Sequence, residues 1–387
     1  MSWQNWSGRQ VAPDASLHHA YSEADIQQLM ASTSGPVRSA GTGHSHAPLV
    51  VTDGTVINTD ALSGVVATDS KARTATVWAG TKIYALGRAL HEAGLALSNQ
   101  GDIDRQSITG ATGTGTHGTG RTLANLSSAV LGMRLVTATG DVINANANEH
   151  PELWQAARLH LGAFGVITQL TLQCREAYRL KQSGGPISYP ELEADIPKLI
   201  DTHRHYEFFW YPHNDTAISK ATDETDDEAV YPVAAEGERC AWSYEVLPNH
   251  RPHKHTEMEY SVPAENGLAC FAEIRHLLQN TFTDVRWPVE YRTLAADDVW
   301  LSTAFERDTV TISVHQDVRE DETAYYQACE AIFLRHGGRP HWGKVQYLDA
   351  EQMAAIHPRW ADWWQVRNDL DPTGRFLNPM LKKLGPT

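Results

Sequence analysis

Apolar residues recur along this chain with helical and strand periods, and one stretch follows neither. Ile26, Leu29 and Met30 mark one face of a helix that starts at Ser22, with Asp25 placed to complete a capping box. Residues 37–40 read as a strand, and two further strands flank the Asp53-Gly54 turn. Residues 75–80 form another strand. Ile83, Leu86 and Leu90 then share a helix face, capped by Thr81 and stopped at Gly94. Residues 128–144 read as a hairpin turning at Thr139-Gly140. A helix over 150–161 and a strand through Val166, Leu170 and Leu172 follow.

The rhythm changes past Ser183-Gly-Gly-Pro186, which reads as a linker. Strands over 206–211, 256–262, 284–294 and 309–315 alternate with amphipathic helices near 191–203, 263–280 and 322–335. This order predicts an antiparallel sheet with helices on one side. The acidic run at 223–228 reads as a solvated loop. From His341 onward the chain returns to loops and Trp-rich helices.

The exception is residues 99–120, NQGDIDRQSITGATGTGTHGTG, in which six of 22 residues are Gly and six are Ser or Thr. A segment so small and polar cannot be an ordinary core element, but its backbone can approach a ligand closely and cradle an anion. It contains the GxGxxG spacing at 113–118. A Rossmann site would need an apolar strand before it and a helix after it, and neither is present. A second small-residue loop, Gly41-Thr42-Gly43-His44-Ser45, follows the strand at 37–40, so two loops could grip one extended pyrophosphate. An imidazole held on such a loop is a candidate nucleophile or attachment point.

Composition narrows the classes. A length of 387 residues suggests two domains, and a formal charge of −15 disfavours nucleic acid or an anionic membrane as partner. No apolar run is long enough to span a bilayer, and the four cysteines show no CxxC spacing, so a cytoplasmic protein is expected. His250-Arg-Pro-His253-Lys-His255 lacks a second ligand set and carries two cations, so no metal is expected there.

Two strands carry candidate substrate chemistry. Glu290 and Arg292 are two apart and share a face, opposite Trp287, Val289 and Tyr291. Glu would accept from hydroxyls and Arg would donate. Thr311, Ser313 and His315 line the polar face of the next strand. Lys344, in HWGK, can hydrogen-bond a reacting oxygen.

GTGHS (residues 41–45), GDIDRQSITGATGTGTHGTG (101–120) and ARLHLGAFGVIT (157–168) resemble the FAD-binding domain of the vanillyl-alcohol-oxidase superfamily. HTEMEYSVP (255–263), HWGK (341–344) and DPTGRFLNP (371–379) resemble its sugar-1,4-lactone oxidase branch, close to the alditol oxidases. The resemblance implies an α+β, two-domain PCMH-type fold. In it, a FAD-binding domain over 1–175 is completed by 345–387, and a cap domain over 176–344 has an antiparallel sheet covered by helices. It implies FAD, covalently attached through His44. Gly41, Thr42, Gly43, Ser45, Ser107, Gly110, Thr114, Gly115, Thr116, His117, Gly118, Gly120 and Ile167 would line the cofactor.

Ser107, Glu290, Arg292 and Lys344 would contact substrate. Lys344, His315 or the Glu290/Arg292 pair would assist loss of the hydroxyl proton. The implied reaction is oxidation of a CH–OH group of a sugar lactone with hydride passing to flavin N5. Reoxidation would follow by O2, giving hydrogen peroxide, or by another acceptor. An alditol oxidase is the alternative. An NADPH-dependent flavin reductase or a non-catalytic carbohydrate binder stands further off. A monomer or small homo-oligomer is expected.

Overall fold

The computed structural model describes residues 2–249 and 251–386, and its first half is built on two sheets. Thr55–Asn58 lies between Ser16–His19 and Val37–Ala40 in a parallel three-stranded sheet. A five-stranded antiparallel sheet runs in the order Val142–Asn146, Val130–Val136, Val166–Gln173, Thr74–Trp78, Val65–Asp69. The helix Ile83–Glu92 buries Ile83, Leu86 and Leu90 in a cluster that includes Val77, Leu135 and Leu170. Trp360, Trp363, Trp364, Leu381 and Leu384 from the C-terminal helices join the same cluster, so the end of the chain packs on the first half.

The buried Arg38 guanidinium ties that return. It donates to the carbonyls of Leu49 (2.7 Å), Gly162 (2.8 Å), Leu161 (2.5 Å) and Phe376, and no carboxylate is among these partners.

The middle of the chain forms an eight-stranded antiparallel sheet. Its order is Arg239–Trp242, Arg179–Ser188, Thr216–Glu224, His205–Tyr211, Val289–Leu294, Thr309–Asp317, His255–Pro263, Arg339–Pro340. Alternation sends Phe208, Val289, Tyr291, Ile312, Met258 and Tyr260 to one face, where Phe271 and Ile274 of helix Gly267–Asn280 and Tyr326 and Phe333 of Thr323–Arg335 cover them. The opposite face carries Glu207, Glu257, Glu259, Glu290, Arg292 and His315. It is buried as well, because the first half of the chain lies over it. Residues 99–120 form the seam: Gly120 N donates to Thr293 O at 2.9 Å, and Thr119 Oγ1 to Tyr206 O at 2.5 Å.

The helix at Glu23–Ser32 has the expected capping box at Ser22 and Asp25. Several local expectations are corrected. Ser183–Pro186 is not a linker but lies within the strand Arg179–Ser188, paired along its length up to Ser188 with Thr216–Glu224. Glycine is needed there because Gly184 has φ +130° and a Cβ on it would sit 2.1 Å from Ser219 O. The strand expected over 284–294 starts only at Val289, after Pro288, which has no N–H to donate to a ladder. Trp287 therefore leaves the core face and lines the polar cavity.

The helix near 191–203 is two pieces, Tyr189–Leu192 and Ile196–Thr202, with Pro197 in the first turn of the second. Thr81 does not cap Ile83–Glu92. Its hydroxyl donates back to Trp78 O at 2.6 Å, and Lys82 holds the cap position. The helix predicted over 150–161 is Pro151–Ala157. Only one strand, Thr55–Asn58, adjoins the Asp53-Gly54 turn. Asp223 and Glu224, expected in a loop, end the strand Thr216–Glu224. Ile108–Thr112, inside the Gly-rich stretch, is a short helix. Among the described residues no helix is long and apolar enough to cross a membrane.

Candidate active site

Two clefts meet where the halves of the chain face one another. The first, about 820 Å³, is lined by Gly41, Thr42, Gly43, His44 and Ser45 from one loop and by Ser107, Gly110 and Thr114 from the other, with Ile167 from the central strand. The glycines are set by close approach. A Cβ on Gly41 would lie 2.0 Å from Ser107 Oγ, and one on Gly113 would lie 2.4 Å from the His160 ring. Backbone held this near the cleft wall leaves an extended groove of N–H groups and small hydroxyls with the imidazoles of His44 and His160. A dinucleotide cofactor fits such a cradle.

His44 is fixed from the N-terminal side. Trp6 N donates to Gly43 O at 2.7 Å, and Asn5 Nδ2 to Ser45 O at 2.9 Å. The Trp6 ring stacks on the His44 imidazole with centroids 5.6 Å apart. Burial, with Lys344 and Lys82 adding to it, pushes the imidazole down to about 4, so at neutral pH it is uncharged and keeps a nucleophilic nitrogen. His46 N donates to Gly343 O at 2.7 Å, which brings HWGK against this loop.

The second cleft, about 780 Å³, lies over the polar face of the eight-stranded sheet. Arg292 Nη2 donates to Glu259 Oε2 at 2.5 Å and stands 3.3 Å from Glu290 Oε2. Glu259 also accepts from Ser313 Oγ at 2.6 Å, and its Oε1 is 2.8 Å from His117 Nε2. Burial works against ionisation of Glu259, but His117 and Arg292 hold it well below the usual carboxylate range. Arg292 is thus committed first to Glu259. Glu290 takes the opposite state: burial, with Glu207, Asp102 and Glu257 nearby, lifts it to about 8 despite Arg292. That shift favours the protonated acid, which can donate a hydrogen bond as well as accept one. Its Oε1 is buried with no protein partner.

His315 Nδ1 is 2.8 Å from Pro288 O, so it carries the hydrogen and leaves Nε2 bare, 3.7 Å from Glu257 Oε1. Burial pushes this imidazole down to about 4. Lys344 Nζ is ion-paired with Glu257 Oε2.

The structure gathers Glu290, Arg292, His315 and Lys344 in one cavity. Gln106 lines both clefts, whereas Ser107, expected to reach substrate, lines only the first. Thr116 and His117, expected along the cofactor path, line the second. Gly118 faces a small polar pocket beside Arg292, while Gly115 and Gly120 shape the backbone with φ of +78° and +142°. Of the histidine-rich segment, His250 lies outside the described residues, His253 is exposed and His255 enters the second cleft. Sequence reasoning missed Glu257 and Glu259. Their signal was strand alternation within HTEMEYSVP, which puts both on the face of Glu290 and Arg292.

A glycine cradle with an imidazole at its end, opening beside a cavity of buried acids and cations, is the site of a FAD-dependent oxidoreductase. Matches to known proteins agree. The FAD binding domain family matches residues 17–146, and the D-arabinono-1,4-lactone oxidase family matches 170–239 and 231–384. The chain belongs to the D-arabinono-1,4-lactone oxidase family, within the vanillyl-alcohol-oxidase superfamily, and binds FAD.

It is 34% identical over 427 residues to L-gulono-1,4-lactone dehydrogenase of Mycobacterium tuberculosis (strain ATCC 25618 / H37Rv), covering 99% of each chain. It is 26% identical to L-gulonolactone oxidase of Bos taurus, covering 99% of this chain and 98% of that one, and 28% identical to alditol oxidase of a Streptomyces species, covering 98% of each. Cholesterol oxidase from Brevibacterium sterolicum (a His121Ala mutant) superposes with a TM-score of 0.87 at 17% identity, covering 100% of this chain and 97% of that one. At that identity it speaks for the fold alone.

Proposed function

We propose that the protein oxidises a CH–OH group of a sugar 1,4-lactone. Bound FAD supplies the two-electron hydride acceptor, and O2 or another acceptor reoxidises it. Residues 1–175 with 345–387 serve as the FAD-binding unit and 176–344 as the cap. His44, neutral and exposed to the first cleft, anchors the cofactor covalently.

The observation that carries the substrate reading is the gathering of Glu290, Arg292 and Lys344 in the second cleft. Protonated Glu290, Arg292 and the Lys344 ammonium are three donors converging on one cavity. A lactone offers carbonyl and ring-oxygen acceptors to such a set, and an alditol offers neither. Lys344 donates to the oxygen of the reacting carbon, while Glu290 and Arg292 orient the lactone end. Neither Arg292 nor protonated Glu290 can take the hydroxyl proton. The bare Nε2 of His315 can, and Glu257 beside it stabilises the imidazolium that results.

A cytoplasmic location is part of this reading, supported by four buried cysteines that are all free thiols. The test is turnover of gulono-, galactono- and arabinono-lactones beside xylitol and sorbitol, followed by peroxide release and by reduction of an artificial dye. Lactones are expected to be the faster substrates. Alditols turning over faster would assign the alditol reading instead.

A further inference from the structure

Glu257 is the hub of the second cleft, and its contacts reach well beyond His315. It is buried on the strand His255–Pro263, and basic groups converge on it from four segments. His46 Nε2, from the loop after His44, is 3.8 Å from Oε2. His255 Nε2, on its own strand, is also 3.8 Å away, and His315 Nε2, on the neighbouring strand, lies 3.7 Å from Oε1. Lys344, from the HWGK segment, is ion-paired with Oε2. Glu290 on Val289–Leu294 shares the cavity, with Arg292 turned to Glu259, and His341 stands beside His117.

Two of the imidazoles, His255 and His315, have their protons committed elsewhere. His255 Nδ1 lies 3.0 Å from His253 O and His315 Nδ1 lies 2.8 Å from Pro288 O, so both Nε2 lone pairs face a carboxylate. Acceptors facing an acceptor are unfavourable unless a positive charge lies among them. The ligand atoms of His46, His255 and Glu257, and those of Glu257, Glu290 and His315, lie within 4.8 Å of one another, close enough to take a metal ion. The Lys344 ammonium already fills that role. It adjoins the same carboxylate oxygen as His46 and His255, and its field lowers His46 and His315, though less than burial does.

We propose that Glu257 is a positioning residue: through its ion pair it holds the Lys344 side chain in place in the second cleft. The proposal rests on the reading that Lys344 touches the reacting substrate oxygen. Glu257→Gln keeps the shape and removes the charge, Glu257→Asp keeps the charge, and Lys344→Met reports on the lysine itself. All three are made in FAD-loaded protein, with the melting temperature and flavin content checked.

The first readout is competitive labelling of the Lys344 amine by acetic anhydride across pH, measured by peptide mass spectrometry. Glu257→Gln is expected to raise labelling by about tenfold or more, because the carboxylate that engages the amine is gone. It should slow flavin bleaching by lactone by a similar factor, and Glu257→Asp should recover most of both. An unchanged labelling profile in folded Glu257→Gln overturns the proposal alone, provided Lys344→Met is slow. Wild-type bleaching rates in Lys344→Met overturn the substrate reading and the proposal with it. A stoichiometric divalent metal found by elemental analysis of the wild-type protein would overturn the ammonium's place in the cluster.

Discussion

Replacing Glu290 by Gln tests the charge logic of the substrate cavity, and its direction follows from the neighbours of that carboxyl. Burial first, then the carboxylates of Glu207, Asp102 and Glu257, lift it from 4.5 to about 8, and Arg292 gives only partial relief. Arg292 is bound more closely by Glu259, at 2.5 Å against 3.3 Å. At 1.36 kcal/mol per pH unit, that rise is about 5 kcal/mol of folded-state preference for the neutral acid.

Because the folded value lies above the unfolded one, this contribution is complete below about pH 4.5 and is lost as the pH climbs to about 8. Glutamine has the same shape and no proton to lose. Urea unfolding is expected to give similar stabilities for the two proteins near pH 5. Above about pH 8 the variant should lead by up to about 5 kcal/mol. Lactone binding should persist in Glu290→Gln at neutral pH and escape the alkaline weakening of the wild type. Stability curves that run parallel across this window would refute the assignment of a protonated Glu290.

Three further outcomes follow from the geometry. His44→Ala should give a protein whose flavin is released by acid denaturation, whereas wild-type flavin stays on the denatured band. Gly113→Ala should lower FAD content, because its Cβ would lie 2.4 Å from the His160 ring; flavin absorbance per protein measures this. Arg38→Met should cost several kcal/mol in denaturant unfolding, since it strands buried carbonyls of Leu49, Leu161, Gly162 and Phe376, each at about 1–3 kcal/mol.

Much of this was legible in the sequence because it is local. The capping box at Ser22, the alternation of Val310, Ile312 and Val314 against Ser313 and His315, and the small-residue loops each announce themselves within a few residues. Glu290 and Arg292 could be placed on one face by their spacing alone. What escaped depends on neighbours far along the chain. The direction of Glu290's proton is set by Glu207, Asp102 and Glu257, which reach it from other elements. Ser183–Pro186 looks like a linker until its partner strand is known. Glu257 and Glu259 read as ordinary strand residues, because their roles come from His46, His117, Arg292, His315 and Lys344, none of which adjoins them in sequence.

If the second cleft delivers a sugar lactone to FAD held in the first, lactone alone must reduce the flavin. The most direct test is anaerobic addition of lactone to the purified yellow protein while the visible flavin absorbance is followed. Wild-type flavin is expected to bleach, and Arg292→Met and Lys344→Met, with FAD still bound, to bleach far more slowly. A flavin left oxidised by every lactone and every alditol would contradict this assignment.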